Sequence, residues 1–143
     1  MRQIVFTTVL LVVFLGVIGC SGESAPNSTT MVNVAGGSYT NVMPARLKQM
    51  LSSKDFFLVN VHTPYTDEIV QTDAWIPYDL IQQNLSKLPA DKSAKIILYC
   101  SSGRMSSIAA EELVKLGYSN VWNLKGGMAA WDAAGYSLIQ RTN

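Results

Sequence analysis

From Pro44 onward, apolar runs of strand length alternate with segments of helical spacing, and this alternation constrains the fold more than any other feature of the chain. Parallel strands cannot be joined by tight turns and need crossovers long enough to hold a helix, so such a pattern predicts a mainly parallel sheet with helices packed on its faces. The fold class is α/β. Pro44 opens a helix that carries Leu47, Met50 and Leu51 on one face and leaves Arg46, Lys48 and Gln49 to solvent. Phe56 to Val61 reads as a buried strand, Ile76-Pro77 as a short extended piece, Tyr78 to Asn84 as a short helix and Leu88 to Lys92 as a turn. Lys95 to Tyr99 is a further strand, Ser106 to Leu116 a helix stopped by Gly117, Val121 to Leu124 a strand, Gly126-Gly127 a turn, and Met128 to Ala134 a last helix ended by Gly135.

The segment ahead of this pattern concerns location. Arg2 is followed by an uncharged, largely apolar run from Ile4 to Ile18 and then by Gly19-Cys20. As a helix that run would extend only about 22 Å, short of a hydrocarbon core of about 30 Å, and no stop-transfer cluster follows it. It reads as a secretory signal over residues 1–19. Val17-Ile18-Gly19-Cys20 resembles the bacterial lipobox, in which a small residue precedes a cysteine that is acylated on sulfur and becomes the new N-terminus. The alternatives are an ordinary signal peptide or an uncleaved anchor. Acylation of Cys20 would attach the protein stably to a membrane, at about 0.8 kcal/mol per buried methylene. It would lie on the periplasmic or cell-surface side, and Ser21 after the cysteine points weakly to an outer membrane where the cell has one. Residues 20–38, rich in Ser, Thr, Gly and Asn, read as the lipidated cysteine and a flexible tether, with a reach on the order of 23 Å. Residues 39–143 form the one domain.

Removing the leader takes Arg2 from the 11 Lys+Arg and leaves 10 against 10 Asp+Glu. This balance gives no electrostatic reason to expect nucleic-acid binding. Of the 2 cysteines, an acylated Cys20 leaves only Cys100, so no internal disulfide is expected. A lone thiol in an exported domain is either buried and inert or present for its reactivity.

Cys100 sits where a strand ends, a loop Ser101-Ser102-Gly103-Arg104-Met105 follows and a helix begins. Backbone N–H groups and a helix N-terminus can converge there on one atom, which favours an anion, either the thiolate or a persulfide. Gly103 permits a positive φ, and Arg104 suits bidentate contact with an oxyanion, although a solvated loop arginine fits the sequence as well. Other cysteine chemistries fit poorly. A Cys-His pair must use His62, the single histidine; a redox dithiol needs a second cysteine where Gly103 stands; and one thiol with one histidine cannot make a metal site. No metal and no organic cofactor is expected.

Phe57-Leu58-Val59-Asn60-Val61-His62, Tyr99-Cys100-Ser101-Ser102-Gly103, Ser106 with Ala109-Ala110, Leu116-Gly117-Tyr118, Asn120-Val121 and Leu124-Lys125-Gly126-Gly127 with Trp131 together resemble a single-domain rhodanese over about residues 40–140. The resemblance implies a rhodanese-like fold with helices on both faces of the sheet. It also implies sulfurtransferase activity, in which Cys100 takes sulfane sulfur from an anionic donor such as thiosulfate and passes it to cyanide, a small thiol or a protein thiol. The related phosphatases use a loop one residue longer that ends in arginine six residues after the cysteine, where this chain has Ser106. Many active rhodaneses carry Asp-Val-Arg where this chain has Asn60-Val61-His62, an arginine in place of Met105, and Gly-His-Ile in place of Thr72 to Pro77. These departures remove charge near the site. A non-catalytic module that holds an anion or a partner's thiol in the same loop is the alternative function. His62 lies at a strand end, where it can stand behind the site or serve structure alone. Asp67, Glu68 and Asp73 read as a solvated acidic stretch, and Trp75, Trp122 and Trp131 as packing residues.

Overall fold

A computed structural model describes residues 26–140 of the protein. The expected signal peptide and Cys20 lie outside the described residues. The strands are β1 (Thr29–Val34), β2 (Gly37–Val42), β3 (Phe57–Asn60), β4 (Glu68–Ile69), β5 (Ala74–Trp75), β6 (Ile96–Tyr99), β7 (Val121–Leu124) and β8 (Leu138–Ile139). The helices are α1 (Pro44–Leu51), α2 (Arg104–Lys115) and α3 (Gly127–Ala133). Six strands form one sheet in the order β1-β2-β7-β6-β3-β5. Only the β1–β2 pair in it is antiparallel. β4 and β8 form a separate antiparallel pair that ties the segment after β3 to the C-terminal segment.

β6 explains the layering. All four of its residues are buried, as a strand covered on both faces requires. Successive side chains point to opposite faces. Ile96 and Leu98 therefore join a cluster with Val59, Ala109, Ala110, Leu113 and Val114, which places α2 on that side. Ile97 and Tyr99 join Leu47, Leu51, Leu58, Met128 and Trp131, which places α1 and α3 on the other. Helices thus cover both faces. No helix among the described residues is long and apolar enough to cross a membrane.

Two expectations are corrected. The tether does not reach residue 38: Thr29–Val34 and Gly37–Val42 form a hairpin closed by Ala35-Gly36, with Thr29 opposite Val42 and Val34 opposite Gly37. Its polar, Thr- and Asn-rich sequence suits an edge position, where one strand needs only one neighbour, and β2 in turn pairs with β7 at Thr40 to Val42. The domain therefore starts well before residue 39. The helix expected over Tyr78 to Asn84 is instead a pair of 3-10 turns, Tyr78–Leu80 and Gln82–Lys87, with Asn84 at a non-helical φ of -117°. Pro77, extended at ψ 136°, sets the first turn.

Candidate active site

Cys100 follows β6 directly, at the carboxyl end of the central parallel strand, and is 1% exposed. It is the one cysteine among the described residues. Two donors meet its Sγ: the backbone N–H of Gly103 at 3.1 Å and the hydroxyl of Ser106 at 3.4 Å. Gly103 precedes α2 at φ 88°, a left-handed conformation that turns the chain back toward the sulfur. Ser106, fully buried in the first turn of α2, directs its O–H at the same atom. The first N–H groups of α2 have no partner within the helix and add partial positive charge at this end.

The loop is held from below by α3. The N–H of Met128 donates to the carbonyl of Cys100 at 2.8 Å and that of Ala129 to the carbonyl of Ser101 at 2.9 Å. In a trans peptide the C=O and the following N–H point in opposite directions. With the two carbonyls committed to α3, the N–H groups of Ser101 and Ser102 face away from α3. Only glycine fits at position 127, since a Cβ there would stand 2.3 Å from the Cys100 carbonyl oxygen, 2.7 Å from that of Ser101 and 2.8 Å from the Gly103 nitrogen. The Gly126-Gly127 pair, expected as a turn, is thus also the seat of the cysteine loop.

The remaining expected site residues divide. Ser101, Ser102 and Arg104 are exposed at the rim. Met105 is half-buried and packs against the α2-side cluster, so its side chain belongs to the core rather than to the loop's open face. His62 stands just past β3. Asn60 pairs with Tyr99 and the Val61 N–H donates to the Tyr99 carbonyl at 2.8 Å, so the register places Val61 beside Cys100 and His62 one step further out. The His62 amide donates to Asn60 Oδ1 at 2.9 Å and its carbonyl accepts from Trp75 Nε1 at 2.8 Å, while its buried Nδ1 has no hydrogen-bond partner. His62 makes no hydrogen bond to Cys100. The acidic stretch is also divided, because Glu68 is 5% exposed and Asp73 accepts from Lys54 and from the Leu58 N–H at 2.7 Å. Among the described residues no group of three His, Cys, Asp or Glu side chains could hold a metal ion.

Sequence reasoning gave Ser106 no contact with the sulfur and missed the amides of Met128 and Ala129. Ser106, Ala109, Ala110 and Leu113 are all buried and spaced as one helix face. A serine at the head of an apolar stripe must find a partner, and that was the available signal.

Residues 43–134 match the rhodanese-like domain family. A sulfurtransferase of Allochromatium vinosum is 30% identical over 94 residues, covering 64% of this chain and 86% of that protein. The Mycobacterium tuberculosis protein named probable adenylyltransferase/sulfurtransferase MoeZ is 32% identical over 82% of this chain, which spans only 28% of its length. The solution structure of a rhodanese-like domain from Anabaena superposes with a TM-score of 0.62 at 26% identity, covering 72% of this chain and 79% of that one.

Proposed function

The chain belongs to the rhodanese-like domain family, and from that premise we propose that it is an exported, lipid-anchored sulfurtransferase that moves sulfane sulfur through a persulfide on Cys100. The observation that carries this reading is the pair of donors on Cys100 Sγ, the Gly103 N–H and the Ser106 O–H. Both stabilise negative charge on sulfur, which is what a nucleophilic thiolate and its persulfide share. Export and acylation are supported by the leader, from Arg2 to Gly19, and by Cys20 after it.

The cycle has two steps. The Cys100 thiolate attacks the outer sulfur of a donor such as thiosulfate, a new S–S bond forms, the old one breaks, and sulfite leaves with the bonding pair. The terminal sulfur of Cys–S–S⁻ is then attacked by cyanide or a thiolate, giving thiocyanate or a new persulfide, and the Cys100 thiolate is restored. The peptide N–H groups of Ser101 and Ser102, which face away from α3, provide donors for the outer sulfur, and Arg104 at the rim provides a guanidinium for the oxyanion of the donor. No step needs a metal or an organic cofactor.

Intact-protein mass spectrometry of the soluble domain, residues 26–143, tests the reading. The domain must include β1, which is paired along its whole length with β2. Thiosulfate is expected to add about 32 Da, the mass of one sulfur on an activated thiolate. Cyanide or a thiol removes it, and Cys100→Ser never acquires it. A domain that stays unmodified with thiosulfate and with polysulfide, yet gains thermal stability with either, would be a binding module instead.

A further inference from the structure

The hairpin that shortens the tether also orients the domain. Thr29 is opposite Val42 at the carboxyl end of β2. β2 runs parallel to β7 and β7 to β6, with Val42 opposite Leu124 and Leu98 opposite Asn123. The chain therefore enters the domain at the end of the sheet that carries Cys100, three strand spacings away, about 14 Å. Pro26, just ahead of β1, lines an apolar groove of about 340 Å³ together with Met43, Pro44, Ala45, Ala130, Ala133 and Ala134.

Only five residues, 21–25, separate Cys20 from Pro26. Six peptide steps at ~3.4 Å span about 20 Å at full stretch. A compact domain of 115 residues (26–140) has a radius of gyration of about 13 Å and is roughly 34 Å across. An acyl chain on Cys20 thus keeps the entry end near the bilayer, and the opposite end of the strands lies farther out. Exposed cations line this side of the entry end: Arg46 in the first turn of α1, Lys125 after β7 and Arg104 beside the loop. The exposed acids near them are Asp132 on α3 and, across the mouth, Asp79.

We infer that the groove beside Pro26 rests on an anionic lipid surface, with Arg46 and Lys125 on the headgroups, so that the mouth of the Cys100 site lies at headgroup level. This rests on the reading of Cys20 as the acylated residue. A sulfur acceptor then reaches Cys100 along the membrane surface, which favours membrane-held thiols over bulky soluble proteins, whereas the negative surface potential holds free small anions back.

The full acylated protein, reconstituted in vesicles of equal parts phosphatidylglycerol and phosphatidylethanolamine, tests the inference. In a Cys100→Ser background, an environment-sensitive fluorophore is attached at Ala45→Cys, Ala133→Cys or, at the far end of α2, Lys115→Cys. Labels at 45 and 133 are expected to shift to the blue and to be quenched by spin-labelled lipid, whereas the label at 115 stays water-like. Arg46→Glu with Lys125→Glu returns the first two toward the water-like emission. Three water-like labels on protein that still floats with the vesicles would overturn the docking while leaving acylation and sulfur transfer intact. Blue-shifted labels that lipid quenchers do not reach would overturn it too, since a second copy of the chain would then cover the groove. An N-terminus without acyl chains, read by mass, removes the premise and the inference with it. The sulfur adduct on unlabelled protein reports separately on the transfer reading.

Discussion

Gly127→Ala should damage the site without touching any side chain in it. Position 127 has φ +59°, and a left-handed conformation costs an L-residue about 1–2 kcal/mol. Its Cβ would also enter space held by two carbonyl oxygens and an amide nitrogen, all backbone and all under 3.0 Å away. The cysteine loop and α3 must then separate, and the hydrogen bonds from Met128 N–H and Ala129 N–H weaken or break. At about 1 kcal/mol each the total reaches about 3–4 kcal/mol. Gly135→Ala is the matched control, since its φ is +83° but nothing lies within 4 Å of its Cβ, leaving only the conformational cost. The expected difference of about 2 kcal/mol lowers the urea midpoint by about 1 M at an m value near 1.5 kcal/mol per M. The assay is urea unfolding of the soluble domain, paired with the rate of Cys100 alkylation in the native state. Gly127→Ala should also change that rate, and Gly135→Ala should not. Equal midpoints for the two variants would refute the claim that α3 seats the loop.

Three further outcomes are expected. Ser106→Ala removes the hydroxyl at 3.4 Å from Sγ; a loss of about 1 kcal/mol on the anionic form slows sulfur loading roughly fivefold, and an unchanged loading rate would make Ser106 a packing residue only. Asn60→Ala leaves the His62 N–H and the Asp67 carbonyl without their partners at 2.9 Å, a cost of about 2–4 kcal/mol visible in the unfolding midpoint. Burial holds the Tyr99 phenol well above its ordinary value of 10.0. The folded state therefore keeps a proton that the unfolded state loses, so Tyr99 contributes stability below pH 10 that falls away as pH rises past it. Tyr99→Phe should lower stability at neutral pH, because the Ile69 N–H loses its acceptor at 3.0 Å, and should flatten the alkaline decline relative to the parent. A decline of identical slope in both would exclude Tyr99 as its source.

What the sequence disclosed was whatever depends on burial. The apolar runs of β3, β6 and β7 are legible because strands covered on both faces need nothing else, and the stop at Cys100 follows from the end of β6. The hairpin of β1 and β2 was hidden by its composition. Thr29–Val34 has the burial of a strand with one face in water, and only Val32 and Val34 are partly buried and pack on the core. Ala35-Gly36 followed by Gly37 was the available turn signal. β4 and β8, two residues each, carry no period at all and exist because they pair. The cysteine loop was legible as a loop, but its support was not. That Gly127 lies beneath Cys100 depends on the β6–β7 register, which no local pattern encodes.

The departures from the family pattern acquire a physical sense from the geometry around Asn60. It is fully buried at the end of β3, where its Oδ1 accepts from the His62 N–H and its Nδ2 donates to the Asp67 carbonyl. A carboxylate could keep the first bond but has no proton for the second, and it would bring an uncompensated charge into a buried site beside a carbonyl oxygen. The amide therefore suits this chain, and it ties the segment after β3 to the strand next to Cys100. Asn60→Asp, the change toward the common family residue, should destabilise the domain by about 1–3 kcal/mol and raise no activity. Pairing it with His62→Arg tests whether the two positions act as a unit, because a guanidinium within reach of the new carboxylate would offset its charge. If Asn60→Asp alone matches the parent in stability, the second hydrogen bond of Asn60 contributes nothing to holding the segment after β3. If only the double variant recovers, positions 60 and 62 are coupled, and the asparagine–histidine pair here is a single alternative solution to holding the rim of the site.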